Sequence, residues 1–285
     1  MPQPICWTFV DGTWHEGSPA VMGPLTHAMW QASVIFDGAR AYDGLVPDLA
    51  RHCARSIDSA RKMGLAPRET AEEIEALARE GVRRHAPGAA LYIRPMFWAE
   101  SGIGALQPDP DSTRFLIAVY EAPMPPGTGM TAVLSRFRRP APDMAPTDAK
   151  AACLYPNSAR AIAEAREKGA DNAVVLDHTG AVAEFATANL FFVKNGVVIT
   201  PATNGSFLNG ITRQRVIDLL RAGGHTVEER RVEYAELLDA DELFSTGNYG
   251  KVQPFLALDD RRFQAGPVCL AARDAYRAFA ETQPL

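Results

Sequence analysis

Positive charge, cysteine and long apolar runs are all scarce in this chain, and each shortage excludes something. Lysine and arginine number 29 against 34 aspartates and glutamates, a net charge of -5. That balance gives no basic field for nucleic acid. The four cysteines (Cys6, Cys53, Cys153, Cys269) include no C-x-x-C and no short metal-ligand spacing. They read as reduced thiols in a cytosolic protein, with no metal site. No stretch approaches the roughly 18 apolar residues of a membrane span. The opening "MPQPICWTFVDGTW" lacks the basic region and apolar core of a signal peptide. Internal repeats and low-complexity tracts are absent too. The expectation is a soluble, cytoplasmic protein with no membrane or nucleic-acid partner.

What is present is an ordinary globular composition, 47% hydrophobic and 22% charged over 285 residues. That length suits two domains or one large α/β domain. "CWTFVDGTW" reads as a hairpin about Asp-Gly. "LARHCARSIDSARKMGL" reads as an amphipathic helix ending at Gly64. "RETAEEIEALAREGVRRHAPG" reads as a second helix, acidic early and basic late as the dipole favours. "ALYIRPMFW" and "STRFLIAVYEA" read as strands. Then "EAPMPPGTG" packs three prolines and two glycines into nine residues, which suits neither a helix nor a central strand. The expected division is a small N-terminal α/β domain over 1–121, a linker over 122–129 and a larger C-terminal domain over 130–285.

In the second part "TAVLSRF" reads as a strand and "RRPAPDMAPTDAK" as a Pro-rich loop. "NSARAIAEAREKGA" reads as a helix capped by Asn157 or Ser158 and ended by Gly169. "NAVVLDHTGAVAEF" and "ANLFFVKNGVVITP" are strand pairs about Thr-Gly and Asn-Gly. "GITRQRVIDLLRAGG" is a helix with a Gly entry and a Gly-Gly exit. A strand, "HTVEERRV", a short helix and further strands follow. Strands linked by turns predict a mostly antiparallel or mixed sheet with peripheral helices, an α+β or α/β two-domain architecture.

Four groups of residues can carry chemistry. Lys150 stands before the small apolar run "AACL". It is either an exposed loop lysine or an amine carried into a dry site, where a lowered pKa would suit Schiff-base formation. Glu184 lies amid Ala, Val and Phe in "GAVAEFATANLFFV". It is either a strand-end residue facing water or a carboxylate facing a cationic ring nitrogen. "NGITRQRVI" opens a helix at Ile211 and Thr212, which is either an ordinary capped start or a phosphate site, with Arg55 able to add a charged fork. Arg40 in "VIFDGARAY" and Arg94 in "LYIRP" sit beside aromatics. Each can bind a carboxylate bidentately or form a structural ion pair.

In order along the chain these blocks resemble the fold-type IV (class IV, D-amino acid aminotransferase-like) pyridoxal-phosphate aminotransferases. Among those they are most similar to the branched-chain amino acid aminotransferases. The pieces that carry the resemblance are "VIFDGARAY", "YIRP", "DAKAACLYPNSARAIAEAREKGADNAVVLD", "GAVAEFATANLFFVKNGVVITP", "GITRQRVIDLL" and "DELFSTG". They span nearly the whole chain.

The resemblance implies pyridoxal 5'-phosphate as cofactor, held between the two domains. Lys150 matches the Schiff-base lysine that shuttles the proton between Cα and C4′. Tyr155 matches the tyrosine on the cofactor's phenolic oxygen, and Glu184 the carboxylate on the pyridine nitrogen. Arg55, Ile211 and Thr212 match phosphate-binding positions. Phe36, Arg40, Tyr92 and Arg94 match the substrate side.

Three stretches depart from the family pattern. Trp30 and Gln31 replace a tyrosine that shapes the pocket. Glu184-Phe185-Ala186-Thr187-Ala188-Asn189 brings bulk where the family has glycines. Gly247-Asn248-Tyr249-Gly250 replaces Gly-Thr-Ala-Ala, so that Asn248 offers its N–H to phosphate and Tyr249 projects towards substrate. The expected reaction is ping-pong transfer of an amino group from an apolar, branched-chain L-amino acid to a 2-oxo acid. An (R)-amine or D-amino acid transaminase, or an aminodeoxychorismate lyase, are alternatives on the same frame. The resemblance also implies at least a homodimer.

Overall fold

The computed structural model describes residues 4–285. The chain divides into two compact units. One runs up to Met124 and also takes Ala149–Cys153 and Ala280–Leu285. The other holds Pro125–Asp148 and Leu154–Phe279. Residues 122–129 contain no helix and no strand. Among the described residues no helix is long and apolar enough to cross a membrane.

The first unit opens with β1 (Cys6–Val10) and β2 (Thr13–Glu16), joined by the Asp-Gly turn. Asp11 and Gly12 both take positive φ, the geometry of a two-residue hairpin loop. Next come α1 (His27–Gln31), β3 (Val34–Phe36), β4 (Ala39–Ala41), α2 (Leu49–Lys62) and α3 (Ala71–Arg83). β5 (Leu91–Ala99), a small hairpin of β6 (Gly102–Ile103) and β7 (Gln107–Pro108), and β8 (Thr113–Glu121) follow. The antiparallel sheet runs β2-β1-β8-β5-β3, with β4 also on β5.

Pro95 lies inside the central strand β5, where a proline cannot donate to the ladder. Opposite it the neighbouring chain breaks between β3 and β4, at Asp37 and Gly38. Asp37 N still donates to Pro95 O at 2.9 Å. The missing donor therefore coincides with a turn rather than a lost ladder bond. A Cβ at Gly38 would fall 2.0 Å from the Tyr92 hydroxyl, so any other residue there would displace the Tyr92 ring. α3 is fixed at its start by a capping box between Thr70 and Glu73.

The second unit contains β9 (Met130–Arg138), α4 (Tyr155–Glu167), β10 (Asn172–Leu176), β11 (Val182–Phe185), β12 (Asn189–Lys194) and β13 (Val197–Pro201). α5 (Ile211–Ala222), β14 (Val227–Arg230), α6 (Tyr234–Leu238), β15 (Glu242–Gly247), β16 (Lys251–Leu258) and β17 (Arg261–Arg262) complete its sheet region. The mixed sheet runs β11-β10-β9-β16-β15-β12-β13-β14, with β17 on β16. α7 (Pro267–Glu281) follows. Glu242 on β15 accepts from the Val268 and Cys269 amides, so a strand carboxylate caps this last helix.

α4 begins two residues before the expected cap. Asn157 and Ser158 lie inside the helix, and Leu154 precedes it without a side-chain cap. A 3-10 turn over Ala152–Leu154 leads in, and Pro156 occupies the first turn, where no intrahelical N–H is needed. Asn157 instead donates its side-chain amide to Arg138 O at 2.8 Å.

The core of this unit stacks Phe185 on Phe255 with ring centroids 3.9 Å apart and planes within 7°. Leu190, Phe192, Leu243 and Leu258 pack in the same cluster. Each such side chain contributes about 1.5–3 kcal/mol by burial.

Candidate active site

In the first unit the segment around Lys150 is held by backbone bonds. Ile35 and Ala151 form an antiparallel bridge, and Phe36 N donates to Lys150 O at 3.2 Å. Lys150 N donates to Oγ of Ser59 on α2 at 3.1 Å. The half-buried side chain then carries its Nζ 4.9 Å from the centroid of the Phe36 ring. An amine over an aromatic face, on a backbone tied to a strand and a helix, is a positioned group.

One residue beyond Phe36, Asp37 is fully buried. It accepts from Arg55 Nε at 2.6 Å and Arg55 Nη2 at 2.8 Å, and lies 2.8 Å from His52 Nδ1. Burial alone would raise the Asp37 carboxyl. The Arg55 charge, its hydrogen bonds and His52 together outweigh burial and hold it well below the usual carboxylate range. Arg55 is thereby locked into one orientation by a bidentate pair.

Arg40 is fully buried and donates to Ala122 O at 2.7 Å, Pro123 O at 3.1 Å and Met124 Sδ at 3.1 Å. Arg94 is flanked by the rings of Tyr120, Tyr92 and Phe36 at 5.0, 5.4 and 6.0 Å. It donates through Nη2 to the Tyr120 hydroxyl. Its buried Nε has no partner among the described residues. Burial pushes the Tyr120 phenol up, and the Arg94 charge offsets only part of that. Phe36, Tyr92, Arg94 and Lys150 thus form one aromatic and cationic cluster, with Arg40 6.0 Å from the Tyr92 ring.

In the second unit Glu184 projects from β11 on the face opposite Phe185, as strand alternation requires. Phe185, which by sequence brings bulk near the cofactor, turns instead into the core against Phe255. Glu184 is 12% exposed and lies 3.4 Å from Arg139 Nε. It accepts from Asn189 Nδ2 at 3.3 Å. The same amide donates to Leu208 O at 3.0 Å, and its Oδ1 accepts from Gly210 N at 3.2 Å. Asn189 therefore ties the carboxylate to the entry of α5. A Cβ at 210 would lie 2.2 Å from Asn189 Oδ1, so any other residue there would push the Asn189 side chain aside.

α5 starts at Ile211 and Thr212 with no side-chain cap on Gly210. The amides of its first turn have no intrahelical acceptor and point out of the helix. Thr246, the register partner of Asn189 across β15, is fully buried with its Oγ1 unpartnered among the described residues. Asn248 Nδ2 in the following turn is likewise buried without a partner. Tyr249 stands 58% exposed at the tip of that turn. Tyr155 opens α4 and is 39% exposed.

Each unit thus collects its own share of the expected residues: Phe36, Arg40, Arg55, Tyr92, Arg94 and Lys150 in one, and Tyr155, Glu184, Ile211, Thr212, Asn248 and Tyr249 in the other. Asp37, Tyr120, Arg139 and Thr246 were not singled out by sequence. The "FDG" turn was a visible signal for Asp37, and the alternation of β8 one for Tyr120. Among the described residues no group of three or more His, Cys, Asp or Glu side chains is arranged to hold a metal.

Residues 34–258 match the family described as amino-transferase class IV. The chain belongs to that family. It is 34% identical over 256 residues to a probable branched-chain-amino-acid aminotransferase of Rickettsia bellii, covering 90% of this chain and 88% of that protein. An aminotransferase from Brucella abortus, solved bound to the cofactor PLP, superposes with a TM-score of 0.96 at 48% identity, covering 97% of this chain and 99% of that one. The branched-chain aminotransferase of Thermoproteus uzoniensis, solved with norvaline, gives 0.89 at 31% identity, covering 96% and 95%.

Proposed function

We propose that the protein is a pyridoxal-phosphate-dependent aminotransferase that moves the amino group of an apolar, branched-chain L-amino acid to a 2-oxo acid by a ping-pong route. The observation that carries the cofactor reading is the Glu184–Asn189–Gly210 chain. It couples a sheltered carboxylate to an uncapped helix start, and the same unit holds Thr246 Oγ1 and Asn248 Nδ2 buried without partners among the described residues. A protonated ring nitrogen and a phosphate monoester are the two groups such a pair of ends fits. The substrate class rests on the relatives named above and on the apolar and aromatic setting of Arg94.

Arg55, Lys150, Tyr155, Glu184, Ile211, Thr212 and Asn248 are the residues assigned to hold the cofactor. Pyridoxal phosphate, when bound, supplies an electron sink for the carbanion at the substrate Cα. Lys150 would hold the cofactor at rest, and its amine would move a proton between the substrate Cα and C4′. Glu184, with Arg139 and Asn189 beside it, would face the ring nitrogen as its carboxylate partner. Arg94, with Nε unengaged, is the donor assigned to a substrate carboxylate.

The assembly proposed is a homodimer or larger homo-oligomer in the cytoplasm. Leu25, Met29, Trp30, Ile103 and Leu106 are each more than half exposed, and they lie on or beside α1 and the β6–β7 hairpin. Gly102 of that hairpin abuts the His27 ring of α1, so the two elements are neighbours. Such a patch favours burial against a second copy.

The test is turnover by the purified protein, supplied with pyridoxal phosphate. L-leucine, D-alanine and (R)-1-phenylethylamine are compared as donors, with 2-oxoglutarate as acceptor. L-leucine should be consumed and the other two ignored. Consumption of D-alanine or the (R)-amine with L-leucine untouched would overturn the substrate reading, as would pyruvate release from aminodeoxychorismate without an acceptor.

A further inference from the structure

We propose that Arg40 is a positioning residue rather than a substrate ligand. It latches residues 122–124 onto the sheet of the first unit, and the Met124 side chain held there is an apolar determinant of substrate choice. The inference rests on the transaminase reading above and changes the place of Arg40 within it.

Arg40 and Arg94 stand on one face of that sheet. Arg40 is the register partner of Tyr92, and Tyr92 of Tyr120. Cross-strand partners project to the same side. Arg94, two residues beyond Tyr92, returns to it by strand alternation. Opposite Arg94 on β8 is Ala118, which adds little bulk to the face. The two arginines differ in their surroundings. Arg94 is partly exposed, and its Nε has no partner among the described residues. Arg40 is 0% exposed, and three consecutive residues share its fork. Nη1 donates to Ala122 O at 2.7 Å, Nη2 to Pro123 O at 3.1 Å and Nε to Met124 Sδ at 3.1 Å. A carboxylate reaches this guanidinium only by displacing that segment.

The sequence of the segment explains why an arginine stands there. β8 ends at Glu121, and Ala122 N still donates to Ala90 O at 2.9 Å. Pro123, Pro125 and Pro126 then lack N–H groups and cannot continue a ladder. Ala122 O and Pro123 O lie where strand pairing ends, and buried carbonyls need donors from elsewhere. A planar fork engages neighbouring acceptors at once, whereas an ammonium is a point charge. The Met124 thioether is a weak acceptor, but the bond fixes where it lies. It sits against a guanidinium whose carbon is 6.0 Å from the Tyr92 ring centroid. Methionine is apolar and adaptable, so it makes a wall suited to branched aliphatic side chains. Arg94, on the same face, is left for carboxylates.

The experiment compares Arg40→Met and Met124→Ala with wild type by two readouts. The first needs no turnover. Dilute peroxide oxidises the methionines, and mass spectrometry follows Met124 against Met96 of β5. Arg40→Met should oxidise Met124 about tenfold faster, as expected when the bonds that close a segment are lost. Met96 should keep its wild-type rate. The second readout is kcat/KM, with pyridoxal phosphate supplied, for L-leucine and for 2-oxoglutarate. Both variants should lose about five- to tenfold for L-leucine, through KM, and keep the wild-type value for 2-oxoglutarate. An unchanged rate at Met124 in Arg40→Met overturns the latch. Equal acceleration at Met124 and Met96 overturns it too, because the arginine is then a general support of the fold. A loss for 2-oxoglutarate confined to Arg40→Met makes Arg40 a carboxylate ligand and overturns the inference, as does an unchanged kcat/KM for L-leucine in Met124→Ala. Wild type that turns over neither substrate rejects the transaminase reading and the selectivity claim with it, while the peroxide readout still decides the latch.

Discussion

In the first unit the arginines are anchored before any ligand arrives, whereas in the second the groups that await a ligand are mostly neutral. Arg55 lies bidentate on buried Asp37, and Arg40 is engaged by three acceptors of residues 122–124. The second unit offers the first-turn amides of α5, the Thr246 hydroxyl and the Asn248 amide. A cation that is conspicuous in sequence is therefore not the same thing as donor capacity. In the first unit, charge fixes shape, and Arg94 Nε is a buried donor without a partner among the described residues. In the second, backbone geometry and short polar side chains hold the capacity in reserve, at a cost in stability that a bound anion would relieve.

Four substitutions break or sharpen that contrast, from the largest expected effect to the smallest. Lys150→Ala should lower turnover about a thousandfold or more. Its fold should survive, because the bonds of the Lys150 backbone to Ser59 and Phe36 do not need the side chain. Steady-state rates and far-UV circular dichroism check both halves.

Asp37→Asn should destabilise the first unit by about 3–5 kcal/mol at neutral pH, the cost of breaking a buried pair. The Asp37 carboxyl is held low in the fold, so its contribution is complete above its unfolded value near 4 and is lost as pH falls through the folded value. Denaturation curves of wild type and variant should accordingly lie furthest apart at neutral pH and converge in acid.

Glu184→Gln should cut kcat about a hundredfold while leaving cofactor binding largely intact. The glutamine keeps an acceptor for Asn189 Nδ2 but no charge for a ring nitrogen or for Arg139. Stopped-flow rates and cofactor titration separate the two. Tyr120→Phe keeps the ring beside Arg94 and removes only the hydroxyl that holds Nη2. The KM for 2-oxoglutarate should rise about fivefold with kcat unchanged, the loss expected of one hydrogen bond.

Much of the scaffold is legible because it is local. Asp-Gly and Asn-Gly mark hairpins that form, and Gly64 and Gly169 end helices with positive φ. Glu184 and the opening of α5 are legible through motif order. What escapes is non-local. Asp37 meets Arg55 and His52 from another element, and nothing in "FDG" shows that pairing. Asn189 looks like the first residue of a strand, yet it joins three segments. Thr246 and Lys251 read as plain strand ends, and only the fold buries them. α4 starts ahead of the expected cap because Asn157 and Ser158 resemble caps, while Pro156 already sits in the first turn. Residues 149–153 and 280–285 group with the first unit although they lie far along the chain. Local composition carries no trace of such returns.

The central assignment is that Lys150 is the amine that bonds the cofactor. The most direct test incubates the purified protein with pyridoxal phosphate, reduces it with borohydride and maps the modified peptide by mass spectrometry. The account predicts a single phosphopyridoxyl group on Lys150, absent when L-leucine is added before reduction. A label on another lysine, or no label on wild type, would contradict it.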